Sequence, residues 1–341
     1  MWNKDGYPFI IAEMSGNHNQ SLERALAIVD AAADAGVDAV KIQTYTADTM
    51  TIDIDTGEFF ISDKDSLWKG ETLYHLYEKA HTPWEWHTAI FERCKERGIM
   101  GFSTPFDDMS VDFLEDIGVP CYKIASFENV DLPLIRKVAR TGKPIIASTG
   151  MTTVAELSDL VRTVRENGCT DLTLLKCTSS YPASPEGTNL RTIPHMRELF
   201  GCAVGLSDHT LGIGAAVASV ALGAAVIEKH FTLSRAEGGV DAAFSLEPAE
   251  MAQLVRECRT AALALGTVSY ERAEQEKKSL QFRRSLYVVE DMKAGDVFTE
   301  KNLRRIRPGM GLSPKYYDII LGKKVNHDIA RGTPVQWNLI E

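Results

Sequence analysis

Short apolar runs punctuate the first three-quarters of the chain, separated by stretches whose apolar residues recur every three or four positions. The runs at 8–12, 39–43, 101–104, 121–125, 144–148, 172–176, 204–207 and 226–229 are apolar without alternation. They predict strands buried on both faces, as in a parallel sheet covered by helices. Between the first two, Leu22, Ala25, Leu26, Val29 and Ala33 form one stripe behind Ser21, a residue suited to an N-cap, and the stripe stops at Gly36. Helical spacing recurs over 84–97, 109–117, 132–140, 153–167, 194–200 and 213–222, with Thr153 and Glu156 placed as a capping box. A last helix begins after Pro248 and carries Met251, Leu254, Val255, Cys258 and Ala262 on one face.

Eight strand–helix units in roughly 265 residues predict a (β/α)8 TIM barrel. The competing doubly wound sheet would be expected to carry GxGxxG after its first strand, and none is there. The catalytic barrel is expected over 1–268, a linker over 269–282, and a small, mainly β domain over 283–341. The linker is charged and polar; beyond it, short β-type runs such as 285–289 replace the long helices. The tail holds a weak internal echo, residues 291–295 against 328–332, each reading as a tight turn between short strands. Residues 44–83 interrupt the barrel pattern after its second strand. This long loop is rich in aromatic residues and belongs on the catalytic face as a lid or substrate wall.

Composition narrows the class of function. A formal net charge of −10 argues against nucleic acid or an anionic membrane as partner, so positive charge at a site must be local. The six cysteines are scattered with no CxxC pair, which suggests reduced thiols and a cytoplasmic protein. No stretch reaches the ~18 apolar residues that span a bilayer.

In a barrel, the chemistry collects where strands end. Those ends hold Glu13, Lys41 and Gln43, Thr104, Lys123 and Ser126, Ser148, the stretch 177–181, Ser207 to His209, and Lys229 and His230. Lysines with small hydroxyls suit a phosphate or carboxylate. A lysine inside a strand is costly unless it is paired or faces the site, and Lys41, Lys123 and Lys229 are open to either reading. His209 and His230 end adjacent strands joined by a helix, an arrangement that points to a divalent metal. Glu13, Glu128 and Asp208 are the acid/base candidates, and Glu228 is placed to orient a histidine ligand.

IAEMSGNHNQ (11–20), KIQTY (41–45), STPFD (103–107), YKIASFEN (122–129), STGM (148–151), CTSSYP (177–182), GLSDHT (205–210) and EKHFTL (228–233) together resemble the sialic acid synthase family. The tail, with RRSLYVV (283–289) and RPGMGL (307–312), is similar to that family's antifreeze-like (SAF, β-clip) domain. The resemblance implies condensation of phosphoenolpyruvate with an acylated amino sugar to give a nonulosonic acid. It implies His209 and His230 as ligands of Mn2+ or Mg2+, with Co2+ a third option. Thr104, Lys123, Ser126, Ser148, Ser179 and Ser207 would bind phosphoenolpyruvate. Gln43, Tyr181, Asp241 and Arg307 would contact the sugar, and Glu13, Lys41, Glu128 and Asp208 would serve the chemistry. Arg307 would come from the partner of a domain-swapped homodimer whose SAF domain caps the neighbouring barrel. Segments 66–87, 174–183 and 238–248 are similar to the branch using 2,4-diacetamido-2,4,6-trideoxy-L-altrose. Ser179, where sialate-making members commonly carry Asn, argues against N-acetylneuraminate as product. The rival readings are the same reaction giving legionaminic or N-acetylneuraminic acid, a non-catalytic sugar-phosphate binder, and a Schiff-base aldolase using free pyruvate.

Overall fold

Eight parallel strands pair in chain order and close on themselves: β1 (Phe9–Glu13), β2 (Ala39–Thr44), β3 (Met100–Pro105), β4 (Tyr122–Ile124), β5 (Ile145–Ser148), β6 (Leu172–Cys177), β7 (Ala203–Asp208) and β8 (Val226–His230). This computed structural model describes residue 2 and residues 6–64 and 66–341. Closure is made by β8 against β1, with Glu13 beside His230, while on its other side Glu13 pairs with Lys41. The predicted TIM barrel is therefore present.

Side chains alternate along each strand, and the inward set sorts by height. Ile11, Ala39, Phe102, Cys121, Ile146, Leu175 and Val226 form an apolar plug with Trp2. Two residues further along the strands, the inward positions become Glu13, Lys41, Thr104, Lys123, Ser148, Cys177 and Glu228. The outward set (Ile10, Ala12, Val40, Ile42, Leu174, Val204, Leu206 and Ile227 among it) packs against the helices. Gly205 on β7 is required by this crowding. A Cβ there would lie 2.1 Å from the Val226 carbonyl oxygen and 2.8 Å from Leu175 Cδ2.

The helices follow the sequence pattern: α1 (Leu22–Ala35), α2 (Ala47–Met50), α3 (Leu73–Ala80), α4 (His87–Glu96), α5 (Asp108–Asp116), α6 (Leu132–Arg140), α7 (Val154–Glu166), α8 (Thr192–Phe200), α9 (Gly214–Ala221) and α10 (Pro248–Leu265). Ser21 caps α1 by accepting from the Arg24 amide, Gly36 ends it at φ +85°, and the Thr153–Glu156 capping box opens α7. The insertion after β2 is more ordered than the loop the sequence suggests. Thr46 and Thr72 cap α2 and α3, which the aromatic, weakly periodic sequence conceals. Gln20 Nε2 donates to the carbonyls of Lys79 (3.0 Å) and His81 (2.7 Å), tying α3 to the loop after β1.

Contacts divide the chain into Met1–Gly266 and Thr267–Glu341. The second unit opens with the short α11 (Glu274–Lys277) and a 3-10 segment, Lys278–Phe282, inside the stretch expected to be a linker. Its antiparallel pair, β9 (Ser285–Val288) and β10 (Leu303–Ile306), and the turn α12 (Tyr317–Ile320) close over Leu286, Val288, Phe298, Leu303, Ile320, Val325 and Val335. The sequence echo has a structural counterpart. Asp328 Oδ1 accepts from the Ala294 amide (2.9 Å), and Asp291 Oδ1 accepts from the Arg331 amide (2.7 Å), so each turn is capped by the other. Among the described residues no helix is long and apolar enough to cross a membrane, and all six cysteines are free.

Candidate active site

Above the apolar plug the barrel holds two lysines and two glutamates where water is excluded. Lys41 Nζ lies 2.6 Å from Glu13 Oε2, donates to Thr104 Oγ1 at 3.1 Å and sits 3.8 Å from Glu228. Lys123 Nζ donates to Glu228 Oε1 at 3.2 Å, and Ser207 Oγ donates to the same oxygen at 3.0 Å. Burial alone would raise the Glu228 carboxyl, but Lys123 and Lys41 hold it at about 2. Glu13 is pushed up by burial. Burial also depresses Lys123, and would depress Lys41 were Glu13 and Glu228 not beside it. Glu228 was expected to orient a histidine; its bonds go to Lys123 and Ser207 instead.

Hydroxyls collect at the ends of three successive strands, Ser126 after β4, Ser148 ending β5 and Ser179 after β6. The Ser148 hydroxyl is buried with no hydrogen-bond partner, an orphan of the kind a bound anion satisfies. Ser179 Oγ donates to Ser126 Oγ at 2.8 Å. Gly150, at φ +51°, lets the loop after β5 reach this pair, since a Cβ there would lie 2.5 Å from Ser126 Cβ. Asn129 Nδ2 donates to the carbonyls of Ser148 (3.0 Å) and Thr149 (2.7 Å), fixing the end of β5.

The two histidines face each other with ring centroids 5.4 Å apart. The His209 Nδ1 atom is 2.9 Å from the Thr178 carbonyl, which orients the ring; burial would lower its pKa, but the hydrogen bond and charge of Cys177 raise it. Burial drives His230 well below its ordinary pKa, so its ring is neutral, and its Nδ1 has no hydrogen-bond partner. A neutral imidazole, as at His230, is what metal coordination requires. No group of three or more His, Cys, Asp or Glu is arranged around a common point among the described residues. The pair thus fits an open site in which water and substrate complete the shell of a cation. Asp241 Oδ2 lies 3.7 Å from His230 Nδ1 and accepts from Ser15 Oγ; burial raises its carboxyl to about 6.

His230 and Asp241 face a cavity of about 310 Å3. Gln43, Ser126, Glu128, Tyr181, His230 and Asp241 line it from the barrel, and Met50, Ile61, Trp68, Leu73 and Leu76 line it from the insertion. Gln43 Nε2 donates to Glu13 Oε1 (2.9 Å) and to Ser15 Oγ (3.2 Å). The Tyr181 ring stacks at a tilt on His209, centroids 4.5 Å apart. Burial lifts the Glu128 carboxyl to about 7.

Asp208, an acid/base candidate in the sequence, does not face the barrel interior. On β7 it is one residue past the inward Ser207, so it points to the outer face, where Lys229 Nζ bonds it at 2.7 Å. Lys229 also donates to the Thr210 carbonyl. The pair is a structural ion pair outside the barrel, and Asp208 is unavailable for acid/base work in the cavity. Arg307 belongs to the second unit, beyond β10, exposed and with no hydrogen-bond or ion-pair partner among the described residues. Ser15 was not singled out from the sequence. It follows β1, and its left-handed backbone (φ +47°) sets its hydroxyl between Gln43 and Asp241, a strained position of the kind found at functional sites.

Comparison with known proteins places this geometry. The NeuB family model matches residues 28–270, and the SAF domain model matches residues 283–341. Pseudaminic acid synthase of Campylobacter jejuni is 46% identical over 331 residues, which cover 97% of this chain and 96% of that protein. Pseudaminic acid synthase of Helicobacter pylori is 42% identical over 338 residues, 98% of each chain. Among solved structures, the N-acetylneuraminic acid synthetase of Leptospira borgpetersenii in complex with citrate matches with a TM-score of 0.71. It is 32% identical, over 82% of this chain and 92% of that one.

Proposed function

The chain belongs to the NeuB family and carries a C-terminal SAF domain, and on that premise we propose that it is a pseudaminic acid synthase. It condenses phosphoenolpyruvate with 2,4-diacetamido-2,4,6-trideoxy-L-altrose and water, giving pseudaminic acid and phosphate. The observation that carries this reading is the buried lysine–hydroxyl layer, Lys123 with the orphan hydroxyl of Ser148, together with a cavity lined by Glu128 and by His230, whose ring faces that of His209. The choice of sugar is supported by 46% identity to a pseudaminic acid synthase against 32% to an N-acetylneuraminic acid synthetase.

Lys123 with the hydroxyls of Thr104, Ser126, Ser148, Ser179 and Ser207 holds the phosphate and carboxylate of phosphoenolpyruvate. Glu228, held ionised by the two lysines, offsets the cost of burying their charge. Carbon 3 of phosphoenolpyruvate uses its enol electrons to bond the sugar's aldehyde carbon, and carbon 2 is left cationic. Water adds at carbon 2; one of its protons ends on the former aldehyde oxygen, making the hydroxyl. The other leaves with the phosphate as the C–O bond breaks and the carbon 2 carbonyl forms. Glu128, with its carboxyl at about 7, is matched to taking the proton of that water near neutral pH. Glu13 and Lys41 set the charge of the floor, while Gln43, Tyr181 and Asp241 orient the sugar. A divalent cation held by His209 and His230, Mn2+ or Mg2+, would supply Lewis-acid polarisation of the aldehyde oxygen. The working form is a homodimer in which Arg307 of one chain reaches the other's cavity, and it acts in the cytoplasm, as its free thiols suggest.

The test is phosphate release from phosphoenolpyruvate with Mn2+, offering the altrose sugar, its legionaminic-type counterpart and N-acetylmannosamine in parallel. Release with the altrose sugar alone, abolished by a chelator, is the expected result. Release with another sugar would keep the reaction and overturn the branch.

A further inference from the structure

The cavity has two chemically different sides. The strand ends offer carboxyl, imidazole, amide and hydroxyl groups, whereas Met50, Ile61, Leu73, Leu76 and Phe106 offer none that can ionise or donate a proton; Tyr45, Ser66, Trp68 and Tyr77 add polar atoms around this apolar cluster. Each of these five is half-buried and lines the cavity. Such a wall is unexpected in a sugar site, because a hydroxyl pressed on it loses its bonds to water and gains nothing. It is also anchored. Thr72 caps α3 by accepting from the His75 amide, Gln20 holds the other end of that helix, and Trp68 Nε1 donates to the Val240 carbonyl at 3.0 Å. A wall held at three points is preorganised for whatever lies against it.

An open-chain sugar must present its aldehyde carbon to the polar side, where the reacting groups are. Its sixth carbon is the opposite end of the chain, farthest from those groups. Resting on the reaction proposed above, we infer that Ile61, Leu73 and Leu76 form a subsite for the sugar's C6 methyl group and select against sugars with a hydroxyl there. The apolar wall is then the specificity device of the site. The polar side reads what all sugars of this reaction share, and the insertion reads the missing oxygen.

The experiment compares kcat/KM for 2,4-diacetamido-2,4,6-trideoxy-L-altrose and its 6-hydroxy counterpart, using wild type, Leu76→Gln and Ile61→Thr. Glutamine keeps helix propensity in α3, and threonine keeps the branched shape at residue 61. Wild type should prefer the deoxy sugar by about 10–100-fold, the range a hydrophobic pocket achieves against an added hydroxyl. Each variant should shrink that preference about tenfold, with KM for phosphoenolpyruvate unchanged. A wild type with no preference, or two folded variants with the wild-type ratio, overturns the subsite and leaves the reaction standing. Should one variant fail to fold, the ratio in the other decides. Absence of phosphate release by wild type with either sugar overturns the reaction, and the subsite with it.

Discussion

Glu128 shows how one residue's surroundings set both its chemistry and its cost. Burial lifts its carboxyl to about 7, whereas in the unfolded chain it titrates near 4.5. Between those values the folded protein holds a proton that the unfolded chain has released, so stability falls as pH rises through that window. Glutamine mimics the protonated form. The stability gain of Glu128→Gln over wild type should therefore grow between about pH 5 and pH 8, by at most on the order of 3 kcal/mol. Urea denaturation at the two pH values checks this, and a gain independent of pH would contradict the raised carboxyl. The same variant should lose the limb near pH 7 from the kcat/KM profile. That Glu128 belonged to the site was legible from its place after the fourth strand. Its shifted pKa was not, because desolvation depends on Tyr77 and other cavity neighbours distant in the chain.

At the scale of elements, the seam between β7 and β8 separates chemistry from support. The sequence shows an acid, two histidines and a lysine at two strand ends but not which way each points. The register pairs Ser207 with Glu228 inside and Asp208 with Lys229 outside, so one residue's displacement changes a side chain's role. Asp208→Ala leaves a buried lysine unpaired and should cost about 3–5 kcal/mol of stability, measured by denaturant unfolding. Full stability with loss of turnover would return Asp208 to the chemistry. The insertion teaches the complementary lesson. Its length marked it as functional, but α3 and the apolar wall become visible only when Gln20 and Val240 hold it over the barrel.

For the whole molecule, Arg307 is the residue whose proposed role requires a second copy of the chain. An arginine serving the sugar from a second copy predicts that Arg307→Ala raises KM for the sugar about 10–100-fold, as loss of a charged hydrogen bond does, with KM for phosphoenolpyruvate unchanged. Light scattering should give a mass of two chains, and equal effects on both substrates would undo the assignment. The sequence by itself determined the barrel, because eight apolar runs at regular intervals have few other ways to be buried. It also determined the set of residues at the strand ends, since parallel strands deliver their carboxyl ends to one face. Only the tertiary structure decided which of those residues share a charge, which face outward, and that an apolar wall meets a polar floor. Those properties arise from distances and water exclusion among residues far apart in the chain, which no local pattern encodes.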